Sequence, residues 1–225
     1  MSMPFYVAPE QMMKDRADFA RKGIARGKSL VALQFDEGIA IVAENPSNTL
    51  RKVSEIYDRI AFAGVGKYTE YDQLRVAGIR AADLKGYQFS RLDVDARSLA
   101  NQYAQIIGQI FTHEVKPLEV EILVAELGGT ADRDQLFHIL YDGTVIDEQQ
   151  YSVLGGDADA IQVRLKEQFA PGMNLTAAVK SAVYALSTGD KTVDSEDVEV
   201  AVLRRDGDRR CFSRVPDSAI AECFS

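Results

Sequence analysis

Residues that could do chemistry are few in this chain of 225 residues. His113 and His138 are its only histidines, and neither has a second histidine or a cysteine at ligand spacing. A metal site and a histidine-based triad are therefore not expected; two ordinary, partly exposed histidines are. No Gly-x-Ser-x-Gly elbow occurs. Gly23-Ile24-Ala25-Arg26-Gly27-Lys28-Ser29 has the look of a phosphate-binding loop, but its first glycine is one residue too close. It also follows a predicted helix and precedes a strand, whereas a phosphate cradle needs the helix N-terminus after it. Gly64-Val65-Gly66-Lys67-Tyr68-Thr69 has the right context but puts Tyr68 where a serine or threonine would reach magnesium. Asp93, Asp95, Asp157 and Asp159 stand just before predicted helices, where capping accounts for them. Neither a metal nor a cofactor is expected.

With 46% hydrophobic residues the chain can bury a substantial core. No linker, repeat or low-complexity tract divides it, so the expectation is a short tail, residues 1–8, and one domain, residues 9–225. No apolar run approaches the ~20 residues that cross a bilayer. The start lacks a basic region followed by a long apolar stretch, and two cysteines, Cys211 and Cys223, are too few for a disulfide framework. A cytoplasmic protein without membrane contact fits. A net charge of -8 argues against nucleic-acid binding, which needs basic surface. Residues 1–28 differ from the rest: six bases against three acids give +3, leaving -11 elsewhere. That segment reads as a solvated amphipathic helix or as a surface that meets acidic partner groups.

Pro9 is suited to open a helix, and Met12, Met13, Ala17, Ala20 and Ile24 continue it at helical spacing until Gly27. Apolar runs at 29–35 and 39–43, joined by Asp36-Glu37-Gly38, predict a hairpin buried on both faces. Strands are predicted at 53–57 and 60–65, helices at 67–83 and 96–114, and strands at 119–127, 135–141 and 145–153, with a turn at Asp142-Gly143. A second helix pair, 158–169 and 175–186, follows with Asn174 as N-cap and Gly155-Gly156 as a tight turn before it. Strands at 198–203 and 209–212 close the pattern. Strands in blocks and helices in pairs make an α+β chain. Two packed sheets, each covered outside by a helix pair, give a four-layer α-β-β-α sandwich.

Lys28-Ser29-Leu30-Val31-Ala32-Leu33, then Gly38-Ile39-Ala40-Ile41-Val42-Ala43-Glu44, resembles the opening of a proteasome subunit. Arg51-Lys52-Val53, Ile56-Tyr57-Asp58, Ala61-Phe62-Ala63-Gly64, Tyr141-Asp142-Gly143, Gly155-Gly156 and Val198-Glu199-Val200-Ala201-Val202-Leu203 continue the likeness in order across almost the whole chain. The sandwich is also this family's fold, that of the N-terminal-nucleophile hydrolases. Catalytic β subunits of the family expose a processed threonine whose free amine serves as base. The matching position is Lys28, which has no hydroxyl and whose nitrogen lies in a peptide bond; Glu44 and Lys52 match the β-type aspartate and lysine. The resemblance is therefore to non-catalytic α subunits. Pro4-Phe5-Tyr6, Ala8-Pro9-Glu10-Gln11 and Ala20-Arg21-Lys22-Gly23-Ile24-Ala25-Arg26 are similar to the actinobacterial kind, which degrades proteins tagged by a small ubiquitin-like protein.

The resemblance implies heptameric outer rings of this chain, stacked on β-subunit rings and docked by the C-termini of a regulatory AAA ATPase ring or another activator, with unfolded substrates passing through. It implies a gate formed by the tail, with Met3, Pro4, Phe5, Tyr6, Val7 and Ala8. It implies an activator-docking pocket at Lys52, with Gly27 and Gly66 near it and Asp18 pairing with the lysine. It places His113, Glu114 and Val115 at the axial channel. The alternative is a catalytic β-type threonine peptidase of the same fold, which requires removal of the first 27 or 28 residues. A stand-alone amidohydrolase would need Ser29 as a processed nucleophile.

Overall fold

The computed structural model describes residues 8–47, 49–187, 192–207 and 209–224. Helix α1 (Pro9–Ile24) has proline in its first turn, where a missing N–H leaves nothing unbonded. Strands β1 (Leu30–Phe35) and β2 (Gly38–Glu44) form the predicted hairpin, with Leu30 opposite Ala43 and Phe35 opposite Gly38. All seven residues of β2 are buried, as a strand covered on both faces requires. Then follow β3 (Val53–Tyr57), β4 (Ile60–Gly66), α2 (Tyr68–Gln88), α3 (Ala96–His113), β5 (Val120–Glu126), β6 (Gln135–Ile139), β7 (Val145–Glu148), β8 (Tyr151–Leu154), α4 (Ala158–Gln168), α5 (Leu175–Leu186), β9 (Val198–Arg204), β10 (Phe212–Arg214) and α6 (Asp217–Phe224).

The strands make two antiparallel five-stranded sheets, ordered β10-β9-β2-β1-β8 and β3-β4-β5-β6-β7. Because successive side chains leave a strand on opposite faces, β1 serves two cores at once. Leu30 and Ala32 join Ile39 and Ile41 against Ala61, Ala63, Leu123 and Ala125 of the facing sheet. Val31 and Leu33 turn outward to Ala178, Val179 and Ala182 of α5. On the other side Phe62, Ile122 and Val124 meet Leu99, Tyr103 and Ile107 of α3. These three cores separate four layers, α-β-β-α. Ala20 and Ile24 of α1 enter the central core at one end of the sandwich.

Several elements depart from the sequence expectation. The strand predicted over 145–153 is two strands in opposite sheets: β7 pairs with β6, β8 with β1. Asp147-Glu148-Gln149-Gln150 offers no apolar side chain to bury, and there the chain crosses between sheets. Helix α2 runs on to Gln88, beyond residue 83, although Leu84 and Tyr87 on its last turns are exposed and give no apolar face to read. Strand β10 begins at Phe212, the residue where 209–212 was expected to end, and the C-terminal stretch is helical, with Ile220 and Cys223 buried. His138 is not partly exposed but buried, its Nε2 3.3 Å from a Glu121 carboxylate oxygen. Asp95 caps α3 by accepting from the Ser98 amide, and Asn174 caps α5 by accepting from Ala177. Asp157 holds the N-cap position of α4 without a side-chain bond, and Asp93 ends a 3-10 turn.

Candidate functional site

Lys28 lies between α1 and β1, at the end of the sandwich that α1 covers. Its ammonium sits 2.9 Å from a carboxylate oxygen of Glu44, the buried last residue of β2. Its carbonyl accepts a hydrogen bond from the ammonium of Lys52, which stands just ahead of β3. The sequence-matched trio Lys28, Glu44 and Lys52 is therefore one cluster. Burial pulls the Lys52 amine down from 10.5 to about 8, against Glu44 and then Glu199, which favour the charged form; Lys28 adds to the lowering. A cluster with a peptide-bonded lysine at its head has neither the hydroxyl nor the free α-amine that the family's nucleophile supplies. Ser29 is no substitute, since its hydroxyl packs on Gly155, where a β-carbon would come within 2.3 Å of it.

Glu199 of β9 holds this region from beneath. It is 4% exposed and accepts from the Lys52 amide at 2.9 Å, the Val53 amide at 3.4 Å, the Asn45 side-chain amide at 2.8 Å and Arg214 at 2.5 Å. Arg214 also donates to the Val53 carbonyl at 2.6 Å. Glu199 was not among the expected site residues, although a lone carboxylate among the apolar residues of 198–203 was the available signal.

Gly27 and Gly66 are adjacent and close beneath α1. The Gly27 amide donates to the Ile24 carbonyl at 2.8 Å, ending the helix. Gly66 has φ +104, a conformation that glycine adopts without penalty and other residues resist. Asp18 is not brought to Lys52: on α1 its carboxylate is 3.7 Å from Arg21, one turn along the same helix. The i,i+3 neighbour is simply nearer than anything across the sandwich end.

Of the expected gate residues, Met3, Pro4, Phe5, Tyr6 and Val7 lie outside the described residues. Ala8 is exposed and starts α1, its carbonyl accepting from the Met12 amide at 3.0 Å. His113 closes α3, while Glu114 and Val115 follow it on the surface, Val115 at 96% exposure. The segment is fixed from both sides. Arg16 of α1 donates to the carbonyls of Phe111 (2.7 Å), Ile110 (3.3 Å) and Glu114. Lys116 bridges Glu70 at 2.6 Å and Glu119 at 2.7 Å. Arg16 was missed as well, because nothing in sequence links residues about a hundred positions apart. Among the described residues no group of three His, Cys, Asp or Glu is placed to hold a metal, and no helix is long and apolar enough to cross a membrane.

A family model described as "Proteasome subunit" matches residues 24–203. A protein of Acidimicrobium ferrooxidans named "Proteasome subunit alpha" is 62% identical over 224 residues, covering 100% of this chain and 97% of that protein. Proteins of the same name from Thermomonospora curvata and Saccharopolyspora erythraea are 54% and 53% identical; they cover 100% and 98% of this chain and 99% and 87% of their own lengths.

Proposed function

The chain belongs to the proteasome subunit family, among its alpha subunits, and from that premise we propose that it is a non-catalytic ring component that controls entry to a proteolytic chamber and carries the dock for an activator. The observation that carries the non-catalytic reading is Lys28: the family's nucleophile position holds a lysine ion-paired to Glu44, with α1 packed ahead of it. The chamber's peptidase is then supplied by β subunits, making the complex a threonine-type endopeptidase of the cytoplasm. The alternative, a β-type peptidase, needs the cleavage that would unseat Ala20 and Ile24 from the central core.

In this reading copies of the chain close into a heptameric ring through two complementary patches per subunit, a heterologous contact that closes by rotation. The tail with Met3, Pro4, Phe5, Tyr6, Val7 and Ala8 gathers at the axis as a gate, and His113, Glu114 and Val115 border the channel through which unfolded proteins pass. Lys52, with Gly27 and Gly66 beside it, receives the terminal carboxylate of a regulatory AAA ATPase ring. Asp18 is placed at that pocket by the resemblance alone; within the chain its near cation is Arg21. The degraded proteins are those marked by a small ubiquitin-like tag.

The test is the native mass of the chain purified with its partners from its own source. At 24.8 kDa per chain, a stacked barrel of four heptameric rings would weigh roughly 700 kDa. A monomer or dimer with no partner would refute the ring. Intact mass of the same sample reports the alternative directly, through loss of the first 27 or 28 residues.

A further inference from the structure

Resting on the docking reading above, we infer that Glu199 is a positioning residue for Lys52: its carboxylate fastens the backbone on which Lys52 stands and helps keep charged the ammonium that meets the incoming carboxylate. Four donors from three separate segments converge on this one side chain: Asn45 just after β2, Lys52 and Val53 at the start of β3, and Arg214 on β10. The Asn45 side chain also donates to the Leu50 carbonyl at 2.8 Å, so the loop from 45 to 52 is tied at both ends to Glu199. A hydroxyl at position 199 would satisfy an amide without burying a charge. A buried carboxylate is tolerated only when paired and fully hydrogen-bonded. Arg214 supplies one countercharge, and the charged form of Lys52 is favoured by Glu199 as well as by Glu44 of β2, with Lys28 opposing both. Glu44, 2.9 Å from Lys28, favours the charged ammonium more strongly through its field, while Glu199 adds to that field a hydrogen bond from the Lys52 backbone amide.

The experiment uses the assembled particle and follows acetylation of the Lys52 amine by mass spectrometry across neutral to alkaline pH. Native protein should give a midpoint near 8. Glu199→Gln keeps the shape and one acceptor oxygen but removes the charge. Its midpoint should move down and its labelling at neutral pH rise several-fold; a midpoint equal to that of the native protein overturns the proposal. Should this variant not assemble, Arg214→Gln reports in the opposite sense: with the competing cation gone, the Lys52 midpoint should rise, and a midpoint that stays or falls overturns the proposal. A short peptide with a free C-terminal carboxylate, compared with its C-terminal amide, then separates the two readings. Native particles preferring the carboxylate, and Glu199→Gln binding it about tenfold more weakly, support both. Native particles binding the two peptides alike defeat the dock, while the midpoint shift still establishes the hold of Glu199 on Lys52. Native preference retained in full by Glu199→Gln defeats the positioning role alone.

Discussion

Gly27 and Gly66 lie backbone against backbone: a β-carbon on Gly27 would stand 2.7 Å from the Gly66 amide nitrogen. On its other side Gly66 faces the Glu119 carbonyl, which a β-carbon on Gly66 would approach to 2.0 Å. The junction of α1 with β1 is thereby pressed onto the end of β4. Gly66→Ala meets both this contact and a positive φ, so it should lose more than about 1 kcal/mol. In a domain of this size that lowers Tm by more than about 2–4 °C. A Tm equal to that of the native protein would show that the segment yields without strain.

Arg16→Met keeps the length and the apolar stem of the side chain but removes the donors that close the C-terminal end of α3. Hydrogen bonds from a charged donor are worth about 1.5–3 kcal/mol each, less where water competes. Loss of a few degrees in Tm is expected, together with faster amide exchange at residues 110–116. Exchange confined to its native rate would mean that α1 and α3 are held together by the Phe111 contacts alone.

The Lys52 amine is held near 8 in the fold and titrates at 10.5 when exposed. Between those values the unfolded chain binds more protons, so the contribution of this residue to stability rises with pH from about 8 to 10.5. Below that window both states are charged and the burial penalty is present in full. Lys52→Met should therefore gain on the native protein most at neutral pH, and its advantage should shrink as the window is crossed. A difference in Tm that is flat with pH would assign Lys52 an ordinary titration.

Docking makes a separate demand on the same residue. Lys52→Ala removes one charge-assisted hydrogen bond per subunit, about 1.5–3 kcal/mol, or about 10- to 150-fold in the affinity of a single terminal carboxylate. Binding of the ATPase ring at unchanged affinity would remove Lys52 from the dock.

Deletion of residues 1–7 leaves Ala8 and the start of α1 in place. If the tail is the gate, small fluorogenic peptides should be cleaved faster by the assembled particle without it. An unchanged cleavage rate, with the ring mass intact, would make those residues a bystander.

The layers were legible because their signal is periodic: β1 and β2 read as doubly buried, and α3 shows its apolar stripe in Leu99, Tyr103 and Ile107. The 145–153 region was misread because adjacent short strands share one hydrophobic pattern whichever sheet they join, and only the polar residues between them mark the crossing. Lys28, Glu44 and Lys52 were found through likeness to a family and proved to be one cluster. Glu199 and Arg16 escaped because each acts across more than ninety residues of chain, on backbone atoms that carry no sequence signature. Within one chain Asp18 has Arg21 of its own helix for a neighbour, a pairing that the i,i+3 spacing already offered.

The crossing after β7 also orders events during synthesis. The sheet from β3 to β7 is complete in sequence by Glu148, so it can form while the rest is still being made. The β1–β2 hairpin leaves the ribosome first but must wait for β8, and then for β9, whose residues 198–204 pair along the whole of β2. At translation speeds of about 5–20 residues per second, that interval lasts roughly 8–30 s. For that time thirteen residues of almost unbroken apolar strand have an open edge, and until β7 has been made they have no facing sheet either. The hairpin that ends as the most deeply enclosed part of the molecule is thus, at birth, the segment with most need of a chaperone.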